Sequence, residues 1–272
     1  MSKEFLFTRE DFKQVQKIVF DNAGIKLSDH KFEMVYGRLA RRLRATGIRS
    51  VNEYLDFAKQ DEQETIQFTN ALTTNLTYFF RESHHFEFIE SKVVPQVIDS
   101  NKSTKKVRIW SAGCSSGEEP YSIAYSIRNL IKNQSSWDIK ILATDLDTEV
   151  LKKAKNGIYI SERIESMSAD QRQSLFNKTP SGYCVKDDWR RYIFFKQLNL
   201  MNSWPMRGKF EVIFCRNVLI YFDRDTQQKL IGRFRELLAP NGYLILGHSE
   251  SIGAQGSNFK ALGKTIFQRS KG

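Results

Sequence analysis

The sequence has few cysteines and no long apolar run. Its 272 residues include three cysteines, Cys114, Cys184 and Cys215, which are far apart and form no Cys-x-x-Cys pair. This usage predicts a reduced cytoplasmic protein without a structural zinc site. No apolar run approaches the length that spans a bilayer, and the polar N-terminus M-S-K-E-F does not resemble a signal peptide. We therefore expect no membrane insertion.

One stretch of the sequence, near its middle, has the pattern of a ligand-binding turn. It lacks both of the common phosphate-binding motifs. Residues Val107–Ala124 read V-R-I-W-S-A-G-C-S-S-G-E-E-P-Y-S-I-A, which predicts a strand, a glycine-rich turn and a helix that starts near Pro120. The turn has neither G-x-G-x-x-G nor Gly-Lys-Ser/Thr. Glu118 and Glu119 would repel a polyanion at the helix N-terminus, which favours a cationic ligand such as S-adenosylmethionine. The alternative is an ordinary turn whose glutamates favour the helix dipole.

Positive charge is plentiful. The net charge of +11 comes from 42 Lys and Arg against 31 Asp and Glu. It implies an acidic partner, which could be nucleic acid, a membrane surface or an acidic protein. The chain is long enough for one large domain or two of ordinary size.

The first eighty or so residues predict helices only. Thr8 and Ser28 are placed to cap the first two helices, Gly47 to end the second, and Ser50 with Glu53 to form the capping box of a third. A fourth helix follows from D-E-Q-E-T-I-Q-F-T-N-A-L.

The second of these helices has a basic face beside its apolar stripe. The face carries Lys31, Arg38, Arg41 and Arg42, and no acidic residue lies within Arg38–Arg49. A solvated face is the ordinary explanation of such a cluster. The missing acidic residues favour a docking surface instead.

Strands and helices alternate beyond Val107, which predicts a parallel sheet covered on both faces. The second strand, I-K-I-L-A-T-D-L-D, ends in Asp145, where nucleotide-binding folds hold ribose hydroxyls. Asp147 could do this instead, or Asp145 could only cap the next helix. The adjacent His84 and His85 lack suitably spaced acidic or cysteine partners, so we expect surface or capping residues and no metal.

Four motifs occur in a characteristic order: N-L-T-Y-F-F-R-E, S-A-G-C-S-S-G-E-E-P-Y-S, A-T-D-L-D and F-C-R-N-V-L-I-Y-F-D. With them, nearly the whole chain resembles the chemotaxis receptor methyltransferases, the CheR family. The resemblance implies an α/β protein with a small all-helical N-terminal docking domain over residues 1–82 and a connecting helix and linker over 83–106. A Rossmann-like class I methyltransferase domain over 107–272 would follow, with an inserted small antiparallel β-subdomain at about 165–195.

The resemblance also implies an activity and a site. The family transfers methyl groups from S-adenosylmethionine to glutamate side chains on the cytoplasmic helices of chemoreceptors, leaving S-adenosylhomocysteine and a methyl ester. The cofactor residues carried over to this sequence are Asn75, Thr77, Arg81, Glu118, Asp145, Asn199, Leu200, Arg216 and Asn217. The family's usual acidic residue in the first motif is Leu76 here. The docking residues would be Arg38, Arg41 and Arg42.

Methyl transfer to a carboxylate needs no general base, because the nucleophile is already ionised at neutral pH. Arg81 is expected to hold the substrate carboxylate, and Tyr221 is a second candidate for orienting it. The alternative for Tyr221 is a core aromatic with its hydroxyl at the rim.

Two other functions remain open. A basic RNA or DNA methyltransferase is one, although amino-methylating enzymes of that kind often have Asp/Asn-Pro-Pro-Tyr/Phe where this chain has R-N-V-L. A catalytically silent binding module is the other, and its mark would be loss of Arg81, Glu118 or Asp145. We expect the protein to bind chemoreceptors and no nucleic acid. We also expect it to be a monomer.

Some family members bind a C-terminal pentapeptide tether of the receptor along the β-subdomain, beside a longer glycine-rich loop. The corresponding segment here, F-N-K-T-P-S-G-Y-C-V-K-D-D-W-R, is short and has the single glycine Gly182. Tether binding is therefore not expected.

Overall fold

The computed structural model describes residues 4–128, 130 and 136–270. Its N-terminal part is a bundle of four helices: α1 (Arg9–Ala23), α2 (Phe32–Thr46), α3 (Val51–Gln60) and α4 (Glu62–Leu72). Their apolar faces meet in one core that includes Phe12, Leu39, Tyr54 and Phe68. The predicted helical domain is confirmed.

Local capping explains most of these helix boundaries. Thr8 and Asp11 form a reciprocal capping box at the start of α1, and Gly47 ends α2 in the left-handed conformation. The expected cap at Ser28 is wrong, because a 3₁₀ turn intervenes before α2 and the Ser28 hydroxyl contacts the His30 ring instead. At Ser50 only the serine half of the expected box forms.

The rest of the chain is built on two sheets. The strands are β1 (Lys106–Ala112), β2 (Asp138–Asp145), β3 (Ile158–Tyr159), β4 (Phe176–Thr179), β5 (Gly182–Val185), β6 (Ile193–Gln197), β7 (Phe210–Cys215), β8 (Leu238–Leu246), β9 (Phe259–Gly263) and β10 (Ile266–Arg269). The helices are α5 (His84–Phe88), α6 (Val94–Ser100), α7 (Glu118–Ser126), α8 (Thr148–Asn156), α9 (Ala169–Leu175), α10 (Asp187–Arg190) and α11 (Arg224–Leu237).

The main sheet has seven strands in the order β6-β2-β1-β7-β8-β10-β9. The first five are parallel, and β10 runs antiparallel to β8 and β9. The strand order reverses beside β1, which is where open α/β sheets bind ligands at the carboxyl ends of their strands. The predicted parallel sheet is confirmed, and an antiparallel hairpin of β9 and β10 completes it.

Apolar residues cover both faces of this sheet. Ile109 of β1 packs in a core with Phe86 and Ile89, whereas its neighbour Trp110 packs against Phe234 of α11 on the other face. The chain from α5 to α6 therefore shares the core of the sheet. Residues 83–106 were expected to form a connecting segment, but they are structurally part of the methyltransferase domain.

The smaller sheet is antiparallel, with the strand order β3-β5-β4. It spans residues 158–185, so it begins before the expected boundary near residue 165. The segment Ile193–Gln197 pairs with β2 and belongs to the main sheet. The two-residue strand β3 is too short to show a periodic pattern in the sequence. Among the described residues, no helix has both the length and the apolar composition needed to cross a bilayer.

Candidate functional site

A cavity of about 260 Å³ lies where four parallel strands end. Residues that directly follow β1, β2, β6 and β7 line one side of it, and the segment from Ala23 to Lys31 of the helical domain lines the other. The cavity is therefore formed by both domains together.

Most of the predicted site residues meet in this cavity. Those that line it are Asn75, Thr77, Arg81, Asp145, Asn199, Leu200, Arg216, Asn217 and Tyr221. Glu118 does not line it, whereas Glu119 does.

The glycine-rich turn follows β1 and lies next to the end of β2. Gly113 has a φ of +85°, and a Cβ atom there would lie 2.3 Å from a methyl group of Val218. The backbone N–H of Ser115 donates to Oδ2 of Asp145 at 2.7 Å, and the N–H of Asp147 donates to Oδ1 at 3.0 Å. The backbone of Leu146 also contributes a hydrogen bond to this carboxylate. Because a carboxylate has about four acceptor sites, Asp145 keeps capacity to accept a ribose hydroxyl. Burial raises the pKa of Asp145 to about 6.

Asp147 has a different role from Asp145. Its Oδ1 atom caps α8 by accepting the N–H of Glu149 at 2.8 Å. Its Oδ2 atom accepts hydrogen bonds from Asn75 at 2.7 Å and Thr73 at 2.8 Å. Because these acceptors are occupied and Asp147 does not line the cavity, Asp145 is the better placed of the two carboxylates for a ribose.

The two adjacent glutamates of α7 point to different places. Glu119 lies on the cavity, where Ser111 donates to its Oε1 at 2.7 Å and Arg216 contacts its Oε2 at 3.0 Å. Burial raises the pKa of Glu119, and the charge of Arg216 opposes that rise. Glu118 is fully buried, with the Ser116 hydroxyl at 2.7 Å and Arg163 at 3.3 Å. The assignment of Glu118 to the cofactor stays a prediction, but only Glu119 of the two glutamates lines the cavity.

A linker segment, residues 73–77, joins the two domains along the cavity. Each of its five consecutive carbonyl oxygens accepts a hydrogen bond from a different side chain. In chain order, the donors are Arg38, Tyr221 at 3.4 Å, Ser115 at 2.9 Å, Arg81 at 3.0 Å and Arg163 at 2.9 Å. Both predicted substrate residues, Arg81 and Tyr221, are therefore held at the cavity by the backbone of this segment.

The loop after β6 ties the cavity to the first helix. The Asn199 amide donates to the carbonyl of Asn22 at 2.7 Å, and its oxygen accepts the N–H of Met201 at 2.9 Å. Gly24 has a φ of +69°, a left-handed conformation that favours glycine, and it lies against the Met201 side chain. Asn199 lies on the cavity, but its side chain also fixes the helical domain.

A buried carboxylate organises the loop after β7. Glu250 accepts backbone N–H groups of Asn217 at 2.9 Å, Val218 at 2.8 Å and Gly247 at 2.6 Å. Burial raises its pKa, and these hydrogen bonds oppose that rise. Asn217 has a φ of +58°, a left-handed conformation that the Glu250 contacts support. No motif in the sequence predicts this role of Glu250, and only its position after a strand could have pointed to it.

His85 is not a surface residue as expected. It is fully buried, and its Nε2 atom lies 2.8 Å from the carbonyl of Lys264. Burial lowers the pKa of His85 to about 4. Glu82, His84 and His85 bring potential ligand atoms within 4.8 Å of one another, but Arg216 lies 3.6 Å from the Glu82 carboxylate, and its charge disfavours a cation there.

The three predicted docking arginines are not equivalent. Arg38 donates to the carbonyls of Ala71 and Thr73, and Arg42 forms a two-point ion pair with Glu64 of α4. Only Arg41 of the three has an exposed side chain. The expectation that no acidic residue neutralises this face is wrong for Arg42, because Glu64 is supplied by another helix.

These features define a class of protein. A mostly parallel sheet, a glycine-rich turn after its first strand and a carboxylate after its second form a site for a nucleoside. Glu119 supplies negative charge where a phosphate-binding site would need positive charge. This combination is that of a Rossmann-like methyltransferase, and the small antiparallel sheet is an insertion in that fold.

Comparison with known proteins shows to which family of methyltransferases the chain is similar. Residues 10–73 match the family domain described as CheR methyltransferase, all-alpha domain, and residues 75–267 match CheR methyltransferase, SAM binding domain. The chain is 40% identical to chemotaxis protein methyltransferase 2 of Pseudomonas aeruginosa, over 98% of this chain and 95% of the relative. It is 38% identical to the chemotaxis protein methyltransferase of Escherichia coli, over the whole chain and 94% of the relative.

A similar match is found to the probable chemotaxis protein methyltransferase of Rhizobium etli, at 39% identity over 92% of this chain and 96% of the relative. The chain belongs to the CheR methyltransferase family. Its cofactor is S-adenosylmethionine, in agreement with the family domain and with the expectation from the sequence.

Proposed function

We propose that this enzyme methylates glutamate side chains of bacterial chemoreceptors, forming methyl esters in chemotactic adaptation. The names of the relatives support a role in chemotaxis. A carboxylate is proposed as the methyl acceptor because two hydrogen-bond donors lie together at the cavity. Arg81 and Tyr221 both lie beside the same segment, and together they suit an anionic acceptor such as a carboxylate.

The chemistry follows from this arrangement. S-adenosylmethionine supplies a methyl group on a positively charged sulfur. Bound in this cavity, it would deliver that methyl group to an acceptor carboxylate oxygen, and the electron pair of the broken carbon–sulfur bond would stay on sulfur. No proton moves, so the residues need only align the reactants and exclude water. Arg81 would orient the carboxylate without acting as a base, because a guanidinium group offers hydrogen-bond donors and no acceptor. Asp145 would hold the ribose, and Glu119 would face the cationic end.

Transfer of labelled methyl groups to a chemoreceptor cytoplasmic fragment tests this proposal. Wild-type enzyme should label the fragment, and mild base should release the label as methanol. Arg81→Ala should lower turnover by about 10²-fold, the scale of removing one transition-state donor. Cofactor affinity, measured by calorimetry, should fall far less. Base-stable label would exclude an ester, and equal losses in turnover and affinity would make Arg81 a cofactor residue only.

We also propose that the receptor is reached through the helical domain, where Arg41 is the exposed member of the three predicted docking arginines. Acidic helices would be attracted there, and such attraction weakens with salt. The enzyme is proposed to act as a monomer in the cytoplasm.

Binding of a receptor pentapeptide tether is not part of this proposal. The hairpin between β4 and β5 has a connection of only two residues, Pro180 and Ser181, which supports the view that no open loop flanks that edge. Titration with a tether-type pentapeptide should give no saturable heat. Saturable binding that is lost on substitution of residues in β4 would contradict the proposal.

A further inference from the structure

Three large apolar side chains are exposed around the mouth of the cavity. Leu76 is 74% exposed, Ile220 is 49% exposed and Tyr78 is 47% exposed, and all three line the cavity. We refer to them as the apolar rim. Single exposed apolar residues are ordinary, but a group of them around one opening marks an interaction surface.

Burial alternates along residues 76–79, which include two members of the rim. Thr77 and Phe79 are buried, whereas Leu76 and Tyr78 are exposed. Among the described residues that line this wall of the cavity, no helix or strand covers the side chains of Leu76 and Tyr78.

The rim is fixed to the groups that are proposed to handle the substrate carboxylate. Arg81 donates to the carbonyl of Leu76 and lies 5.7 Å from the centre of the Tyr78 ring. On the other side, the backbone N–H of Ile220 donates to Glu250 at 3.3 Å, directly before Tyr221. These contacts therefore hold the apolar rim at a fixed distance from Arg81 and Tyr221.

We propose that the apolar rim binds the apolar side chains that accompany the target glutamate on an acidic amphipathic helix. The inference rests on the proposed function and names the surface that selects its substrate. Residues three or four positions apart lie on the same face of a helix. When a glutamate enters the cavity, apolar neighbours one turn away on that helix face the rim.

Charge favours the same occupant. Arg81 and Lys31 both line the cavity, and the Lys31 ammonium group lies 5.5 Å from the centre of the Tyr221 ring. A helix that carries acidic residues beside apolar ones complements both the charge and the apolar surface. The rim contributes to binding of the receptor, and Arg81 contributes to alignment of the carboxylate.

The test uses the full-length enzyme with Leu76→Gln and Ile220→Gln, and with Leu262→Gln as the matched control. Leu262 is 39% exposed on β9 and does not line the cavity. Each rim variant should raise KM for a chemoreceptor cytoplasmic fragment by about tenfold, which corresponds to about 1.4 kcal/mol. Cofactor affinity should be unchanged in both, and Leu262→Gln should behave as wild type.

A second arm changes the substrate. Replacing apolar residues one turn from the methylated glutamate by glutamine should raise KM for wild-type enzyme, but add little to the effect of Leu76→Gln. Wild-type KM in both rim variants would overturn the inference while leaving the proposed function intact. If the wild-type enzyme forms no methyl ester on the fragment, the proposed function and this inference fail together.

Discussion

The amide nitrogen of Asn75 donates a hydrogen bond of 2.7 Å to the carboxylate of Asp147. This bond joins the segment between the two domains to the end of β2, next to the carboxylate assigned to the cofactor ribose. Through this hydrogen bond, Asp147 determines the shape of the cavity wall although it does not line the cavity itself.

Asp147→Asn is expected to weaken cofactor binding. The asparagine oxygen still caps α8, but its amide group would face the donors of Asn75 and Thr73, which lose their charged acceptor. The Thr73 hydroxyl and the carbonyl of Asn70 remain as their neutral acceptors. Losing such a charged hydrogen bond costs about 1.5–3 kcal/mol, so calorimetry should show affinity reduced at least tenfold. The control is Asp61→Asn, which alters a helix cap outside the cavity. Equal affinities in the two variants would show that Asp147 only caps a helix.

The two adjacent glutamates give a direct comparison of sequence and structure. Glu119→Gln should weaken S-adenosylmethionine binding by about 1.5–3 kcal/mol, because Glu119 lies on the cavity and pairs with Arg216. Glu118→Gln should leave the affinity close to wild type, since Glu118 contacts Ser116 and Arg163 outside the cavity. The reverse order in calorimetry would support the assignment made from the sequence.

Cofactor affinity should depend on pH through Asp145. Its pKa is raised to about 6 by burial, so the carboxylate loses its charge at a higher pH than an ordinary aspartate. Because the ionised form accepts the ribose hydrogen bonds, binding should weaken as the pH falls through about 6 and approach a limit of tenfold per pH unit. Asp145→Asn should bind weakly and lack this component. Identical pH profiles for the two proteins would exclude Asp145 as the titrating ligand.

The basic face of α2 should be tested one residue at a time. Arg41→Glu is expected to lower methylation of a receptor fragment about tenfold or less, since surface charges contribute modestly and mainly to encounter. Its melting temperature should match wild type. Arg42→Glu should instead lower the melting temperature, because it places a second carboxylate against Glu64. Unchanged activity of Arg41→Glu at low salt would argue against docking through this face.

Much of the site could be predicted from sequence because its residues follow strands. Asp145 ends β2, Arg216 follows β7, and the glycine-rich turn follows β1, so an alternating pattern of strands and helices is enough to bring them together. Thr8 and Gly47 were predictable for a similar reason, since caps act within one turn of the chain.

Other contacts depend on positions that are distant in sequence. Arg42 pairs with Glu64 from another helix, and Glu250 binds backbone groups about thirty residues before it. A pattern within a short stretch of sequence cannot predict such long-range pairs. Glu118 and Glu119 are indistinguishable in a sequence because both are acidic residues in the first helical turn, yet the rotation between them sends one side chain to the cavity and the other beneath it.

Mapping of the product tests the central claim most directly. Wild-type enzyme, S-adenosylmethionine and a chemoreceptor cytoplasmic fragment are incubated, and the fragment is analysed by tandem mass spectrometry before and after mild base. The account predicts added methyl groups on glutamate side chains, their loss in base, and formation about 10²-fold slower with Arg81→Ala enzyme. Methyl groups on lysine, arginine or a co-purified nucleic acid, with the glutamates unmodified, would contradict it.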